Sequence, residues 1–360
     1  MRIHREKDFI SMFDEKTGHY IRTGIIKNGR DTGVDPFMSS FPELLDVGIM
    51  GHCKHGQSGR CLKSGVECYQ DGLHATAPNM TLEDFSNIAS QCRGKTFQFA
   101  LGGCGDPDQH EHFAEILEIC KQNQIVPNFT TSGFGLTKEL AELCAKYCGA
   151  VAVSWYRSSY TLEAIELLLA AHVKTNIHYV LNNESVAEAL DRLQNQKFPS
   201  GINAIVFLLH KPVGLGSVAK MITLDNAEFQ QFIAYIGRDD VPYKIGFDSC
   251  TIPAILQQPG TISLDSLDTC EGARWSAYVT SDCKLLPCSF DNQKMRWAVD
   301  LRTSSIAEAW MSEPFQDFRA RFKNACPNCA KRVYCLGGCP ICPEIVLCRQ
   351  KENSALTEAV

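Results

Sequence analysis

The chain has 360 residues, 44% hydrophobic and 21% charged, an ordinary globular composition that excludes disorder, collagen or a long coiled coil as a global description. Its 35 Lys and Arg stand against 41 Asp and Glu, a net charge of −6, so no basic footprint exists for nucleic acid or an anionic membrane surface. No apolar run approaches the ~18 residues of a membrane span. The opening stretch MRIHREKDFISMFDEK also lacks the apolar core of an export signal. We therefore expect a cytoplasmic protein with no nucleic-acid or membrane partner. There, the 18 cysteines stay reduced, and clustered thiols read as metal ligands.

Residues 1–43 show no clear pattern and are taken as an N-terminal extension. From Leu44 onward, short β-rich runs alternate with helical stretches. Strands are expected at 44–50, 97–102, 125–131, 150–155, 175–181 and 204–210. Between them Phe113, Ile116, Leu117 and Cys120 recur at helical spacing, as do Leu140, Leu143, Cys144 and Tyr147. Apolar strands alternating with amphipathic helices imply a parallel sheet with right-handed crossovers. The expected fold is α/β: a partial (β/α)6 TIM-type barrel over 44–246, a small C-terminal unit over 247–350, and a tail at 351–360.

Polar motifs fall at the carboxyl ends of the strands, where parallel α/β folds collect their ligands. Cys53, Cys61 and Cys68 follow the first strand on a loop whose glycines, Gly56, Gly59 and Gly65, let it fold back. Gly102-Gly103-Cys104-Gly105-Asp106-Pro107 follows the second. Thr131 and Ser132 end the third, Ser154 the fourth, and Asn182 the fifth. Cys104 competes as a replacement for one loop cysteine. His52, His55, His110 and His112 read as hydrogen-bonding neighbours, and Cys92, Cys120, Cys144 and Cys148 as small buried helix residues. Arg157 and Lys211 are rim cations available for a carboxylate or for surface salt bridges.

Ten cysteines lie between 250 and 348. Cys270, Cys283 and Cys288 precede Cys326-x2-Cys329-x5-Cys335-x3-Cys339, and Cys342 and Cys348 follow. So dense a set serves more than one metal centre, zinc or iron–sulfur, and sulfur ligation alone leaves both open.

The whole spacing resembles the SPASM auxiliary-cluster domain, and the first 250 residues resemble a radical S-adenosylmethionine (SAM) barrel. The resemblance implies three 4Fe–4S clusters, one binding SAM and two auxiliary. Cys53, Cys61 and Cys68 would hold the first through three irons, leaving the fourth to chelate SAM. Their x7 and x6 spacing is wider than the family's common C-x3-C-x2-C. The GGCGDP stretch resembles the family's Gly-Gly-Glu-Pro, with Asp106 in place of Glu to receive the SAM ammonium group. Thr131, Ser132, Ser154 and Asn182 match less specific SAM-contact positions, where strand-end capping is the alternative. Cys270, Cys288 and Cys339 would hold one auxiliary cluster, its fourth position taken by Cys250 or left open for substrate. Cys326, Cys329, Cys335 and Cys348 would hold the other, with Cys342 competing with Cys348. Cys283 occupies a family glycine position and is expected as a solvent-side thiol on its hairpin.

What the resemblance implies is reductive cleavage of SAM to a 5′-deoxyadenosyl radical that abstracts hydrogen from a peptide. The result would be a crosslink, an epimerisation or an excision. The reductant would be a flavodoxin or ferredoxin. The 43-residue extension is shorter than the usual leader-binding domain of about 80 residues, so either a separate small protein delivers the peptide or the substrate is not leader-guided. A maturase of a residue in a folded or nascent protein, as in sulfatase maturation, is the runner-up. A non-catalytic iron–sulfur carrier or zinc-stabilised module is the alternative of another class.

Overall fold

The computed structural model describes residues 1–258 and 262–349; the tail expected at 351–360 lies outside them. In the extension, β1 (Arg2–Arg5), β2 (Ile10–Phe13) and β3 (Tyr20–Arg22) form an antiparallel sheet, followed by a hairpin of β4 (Ile26–Lys27) and β5 (Arg30–Asp31). These strands are two to four residues long, too short for a clear alternation to show in the sequence.

The parallel sheet follows. Its first six strands are β6 (Leu44–Met50), β7 (Gln98–Gly103), β8 (Val126–Thr131), β9 (Ala150–Ser154), β10 (Thr175–Leu181) and β11 (Ala204–Leu209), each within a residue of its expected bounds. A seventh parallel strand, β12 (Ile245–Phe247), pairs with β11 and runs past residue 246. Two short helices, α1 (Lys54–Gln57) and α2 (Arg60–Lys63), interrupt the loop after β6. The longer crossovers are α3 (Leu82–Cys92), α4 (Phe113–Gln122), α5 (Lys138–Tyr147), α6 (Ser159–Ala170), α7 (Val186–Gln194) and α8 (Ala227–Ile236). Side-chain caps start several of them: Thr81 accepts from Asp84 N at 3.1 Å and Asn226 from Phe229 N at 2.7 Å, each satisfying an otherwise orphaned helix donor.

Bulky strand residues face the helices. Phe99 meets Phe85 of α3, Phe129 meets Phe113 of α4, and Phe207 meets Phe232 of α8, with ring centroids 4.9–5.9 Å apart. The inward positions are small or polar, and Gln98, Ala100, Asn128, Thr130, Ala152, Asn176 and His178 line a cavity of about 350 Å³. A closed (β/α)8 barrel fills its interior with layers of branched side chains. Here the lumen is hollow.

The C-terminal unit completes the sheet. After α9 (Ile252–Ile255), β13 (Ser276–Val279) pairs parallel to β6 and continues through β14 (Lys284–Leu286) and β15 (Val299–Asp300), giving ten strands in order 12-11-10-9-8-7-6-13-14-15. Helices α10 (Ile306–Met311), α11 (Glu313–Asn324) and α12 (Arg332–Cys335) follow. A capping box of Ser305 and Glu308 opens α10. No described helix is long and apolar enough to cross a membrane.

Cys283 departs from expectation. It lies at the tip of the β13–β14 hairpin, but it is buried, and its φ of +65° is the left-handed conformation that favours the glycine of the resembled family. The hairpin folds inward against the barrel, so the thiol does not face solvent.

The extension ties the two units together. His4 stacks on Phe97 at 3.8 Å, Arg22 lies 3.8 Å over Trp275, and the Trp310 indole donates to Ser39 O at 3.0 Å. Trp310 is fully buried, with Arg319 over its ring at 4.6 Å. Truncating it opens a cavity and orphans the Ser39 carbonyl, so Trp310→Ala should cost about 3–5 kcal/mol. The check is a lower urea midpoint by circular dichroism.

Candidate metal centres and cofactor site

Three groups of thiols form where strand ends and C-terminal loops meet. In the first, Cys53 caps α1 and its sulfur accepts from Gly56 N at 3.0 Å. Cys61 sits on α2, and Cys68 ends the same loop. A side chain added at Gly72 would stand 3.6 Å from the sulfurs of both Cys53 and Cys68, so the two thiols face one small space. Burial pushes Cys53 up to about 12, and the charges that reinforce the shift, from Asp106, Cys68 and Cys61, are all negative. Cys61 and Cys68 are raised in the same way, by burial first.

The GGCGDP loop closes over this group. Gly103, at φ +107°, packs against the Met50 carbonyl, where any Cβ would collide. Cys104 donates its thiol to Gln70 O at 3.2 Å. Asp106 accepts from Ser132 N at 2.7 Å and from Ser132 Oγ at 2.6 Å, and burial raises its carboxyl above the ordinary range. The structure thus brings Gly102 to Asp106 and Ser132 to the three-thiol loop. Thr131 Oγ1 accepts from Gly133 N, and Asn182 Oδ1 accepts from Glu184 N and Ser185 N, so both shape local turns. Ser154 borders a small recess with Tyr156, His178 and Val66.

Tyr156 is a neighbour that the sequence did not single out. It is half-buried, its hydroxyl is raised by desolvation and then by Asp106, Cys68, Cys61 and Cys53, and its ring lies 5.0 Å from His55. Its only signal was its place two residues beyond Ser154. The histidines form hydrogen bonds as expected: His52 with Ala77 O, His55 with Tyr160 Oη, His110 with Met80 O and His112 with Glu115. Arg157 pairs with Glu188 at 2.5 Å. Lys211 is not a surface cation; its side chain is 1% exposed and pairs with Asp248 at 2.5 Å.

The second group lines a cavity of about 770 Å³ between the open side of the barrel and the C-terminal unit, with Cys250, Cys270, Cys288 and Cys339 on its wall. Cys250 and Cys339 are within hydrogen-bonding reach, and Cys288 senses Cys270, Cys339 and Cys250. The structure thus places Cys250 beside Cys270, Cys288 and Cys339. The third group surrounds Cys335, which is raised by burial and then by Cys329, Cys348 and Cys326. The buried Cys342 stands against Cys339 of the second group, its thiol within hydrogen-bonding reach and its backbone N–H donating to the Cys339 sulfur at 3.4 Å.

These donor sets fit clusters. Among the described residues no group of three or more His, Cys, Asp or Glu closes to the spacing of a single metal ion. The thiols nevertheless gather in separate sets, each close enough to feel the charges of its own members. Buried like charges need a shared cation, which an iron–sulfur cluster supplies across a wider span than one ion does.

A family model described as an iron-sulfur cluster-binding domain, SPASM, matches residues 270–331. Streptococcus suis SuiB, solved bound to its precursor peptide SuiA, aligns at 17% identity and TM-score 0.63, over 84% of this chain and 73% of its own. The enzyme anSMEcpe, solved with bound AdoMet and the Cp18Cys peptide, aligns at 15% identity and TM-score 0.63, over 88% of this chain and 96% of its own. The chain shares their fold. A search of curated proteins by sequence found no match.

The lumen makes its own prediction. His178 Nδ1 lies 3.1 Å from Thr130 Oγ1, and burial pushes the imidazole down from 6.5 to about 4. Between those values the unfolded chain binds a proton that the folded chain excludes. Stability is therefore present above pH 6.5 and lost as pH falls toward 4, by about 1.4 kcal/mol per pH unit from this one group. Urea titrations at pH 7 and 5 should show His178→Gln flattening that loss relative to wild type.

Proposed function

We propose that this chain is a radical SAM enzyme with a SPASM domain, acting on a peptide. The observation that carries the reading is the convergence of Cys53, Cys61 and Cys68 with the Asp106–Ser132 pair at one rim of a hollow parallel barrel. When bound beside SAM, a reduced 4Fe–4S cluster would supply the one electron that splits the SAM sulfonium into methionine and a 5′-deoxyadenosyl radical.

The chain's own residues hold and orient. Cys53, Cys61 and Cys68 provide three thiolates and leave a fourth position open. Asp106, fixed through both oxygens by Ser132, keeps lone pairs to accept from an ammonium group, a charge-assisted bond of the stronger kind. Gly103 and Gly105 let the loop pack against the Met50 and His52 carbonyls, which sets Asp106 beside the three thiols. Tyr156 and the cover of the GGCGDP loop keep water from the reacting space.

The same reading assigns the other thiols. Cys250, Cys270, Cys288 and Cys339 hold one auxiliary cluster without an open iron, and Cys326, Cys329, Cys335 and Cys348 hold the second. Full ligation of the first favours electron transfer over direct substrate binding there. Lys211 and Asp248 support it: Asp248 accepts from Thr251 Oγ1 at 2.9 Å and from Leu209 N at 3.1 Å, pinning the turn that carries Cys250. A peptide substrate accords with the bound peptides of SuiB and anSMEcpe. The reductant is a low-potential one-electron donor of the flavodoxin or ferredoxin class.

Anaerobically reconstituted protein should hold roughly 12 irons, and the Cys53→Ala, Cys61→Ala, Cys68→Ala triple variant about four fewer. The reduced wild type should release 5′-deoxyadenosine from SAM, and the triple variant none. Zinc in place of iron, or turnover that survives the triple change, would overturn the proposal. A second comparison concerns the auxiliary thiols. Cys348→Ala should lower the iron content and broaden the auxiliary electron paramagnetic resonance (EPR) signal, whereas Cys342→Ala should leave the iron count at the wild-type value.

A further inference from the structure

The loop bearing Cys68 and the segment bearing Cys288 meet through one pair of rings. Tyr69 directly follows Cys68, and Phe290 lies two residues after Cys288. Their centroids stand 4.7 Å apart at an interplanar angle of 47°. The Tyr69 hydroxyl faces the side chain of Ser289, the residue between Cys288 and Phe290. On the other side of Phe290, the Lys211 ammonium stands 4.3 Å from the ring centroid, and its charge is felt with Cys250 and Cys339 close by.

The backbone holds this contact tightly. Leu215 N donates to Cys68 O at 2.9 Å. Gly214, at φ +64°, packs against the carbonyls of Cys68 and Tyr69 where a side chain would clash. Ser217 N donates to Glu67 Oε2 at 2.7 Å. The rim segment 211–217 thus grips the Cys68–Tyr69 peptide with one end and places Lys211 on Phe290 with the other.

We infer that the Tyr69–Phe290 ring pair is the electron route between the cluster held by the Cys53 loop and the auxiliary cluster held by Cys250, Cys270, Cys288 and Cys339. The inference rests on the cluster assignments proposed above. In the step it describes, one electron leaves one cluster, which is oxidised by one, and enters the other, which is reduced by one; no bond or proton changes. The electron first enters from an external low-potential one-electron donor.

The test uses the reconstituted holoenzyme. Photoreduced deazaflavin supplies less than one electron per protein, and freeze-quenched samples are read by EPR for the cluster that carries the spin at each time. Wild type and Tyr69→Phe, which keeps the ring, should redistribute the electron rapidly. Tyr69→Leu and Phe290→Leu should lose that fast phase while iron content, g-values and midpoint potentials stay at wild-type values. Redistribution as fast in both leucine variants as in wild type, with all clusters intact, overturns the route. Absence of iron from the Cys53 loop would instead overturn the cluster assignment, and the iron count separates that outcome from the first. Phe290→Leu, remote from the Cys53 loop in sequence, keeps the test open if Tyr69→Leu assembles poorly.

Discussion

Crowding of buried thiols is the constraint on which this molecule turns. Eleven thiols stand in three sets; burial lifts Cys53 to about 12, and at Cys339 the contacts with the Cys250 and Cys342 thiols outweigh burial. Left as neutral thiols, they would be weak donors packed against one another at little gain. As thiolates without a cation they would repel one another in a low dielectric. A multi-metal centre reconciles their number with their burial. The local structure already leans that way: Gly56 N donates to the Cys53 sulfur, Gly337 N to Cys335, and Cys342 N to Cys339. Backbone N–H groups aimed at sulfur favour its charged form.

A hollow barrel has to find its stability elsewhere. With Gln98, Asn128, Asn176 and His178 turned inward, the lumen contributes little apolar burial, and its amides satisfy one another, Asn128 donating to Gln98 and Asn203 to Asn176. The core therefore lies between sheet and helices, where Phe99, Phe129, Tyr179 and Phe207 are all but fully buried. The open side of the barrel, from β6 round to β12, is the remaining liability. The C-terminal unit answers it by adding β13 to the free edge of β6, which removes an exposed strand edge and carries Cys270 and Cys288 to the barrel mouth. Sheet completion and cluster placement are one structural act.

Much of this was legible from residue pattern. The six strands from β6 to β11 could be read because each is a nearly continuous apolar run between amphipathic helices. The cysteine groups could be read from spacing. Strand β12 could not: Ile245-Gly246-Phe247 is three residues long, and it is a strand only because β11 offers it an edge. Nor could Cys283 be placed, since its burial depends on where the hairpin folds, and a left-handed cysteine looks like any other in a sequence. Lys211 read as a rim cation because its partner, Asp248, is 37 residues away. Local chemistry is visible in a sequence; contacts made by returning segments are not.

That distinction explains why Tyr69, Tyr156 and Tyr278 escaped notice although they flank the candidate centres. Each is an unremarkable aromatic by neighbourhood. Tyr278 is on a strand from the C-terminal unit, yet its hydroxyl reaches over Gly48 of β6, a position where any side chain would collide with it. Burial raises the Tyr278 hydroxyl, and the charges of Tyr69, Asp46 and Cys104 add to the shift. A glycine on one strand and a tyrosine on another thus make a single wall, whose two halves are separated by 230 positions of chain. The wall exists only once β13 has paired with β6. The site is therefore a product of both units together, and neither the barrel nor the cysteine-rich module contains it alone.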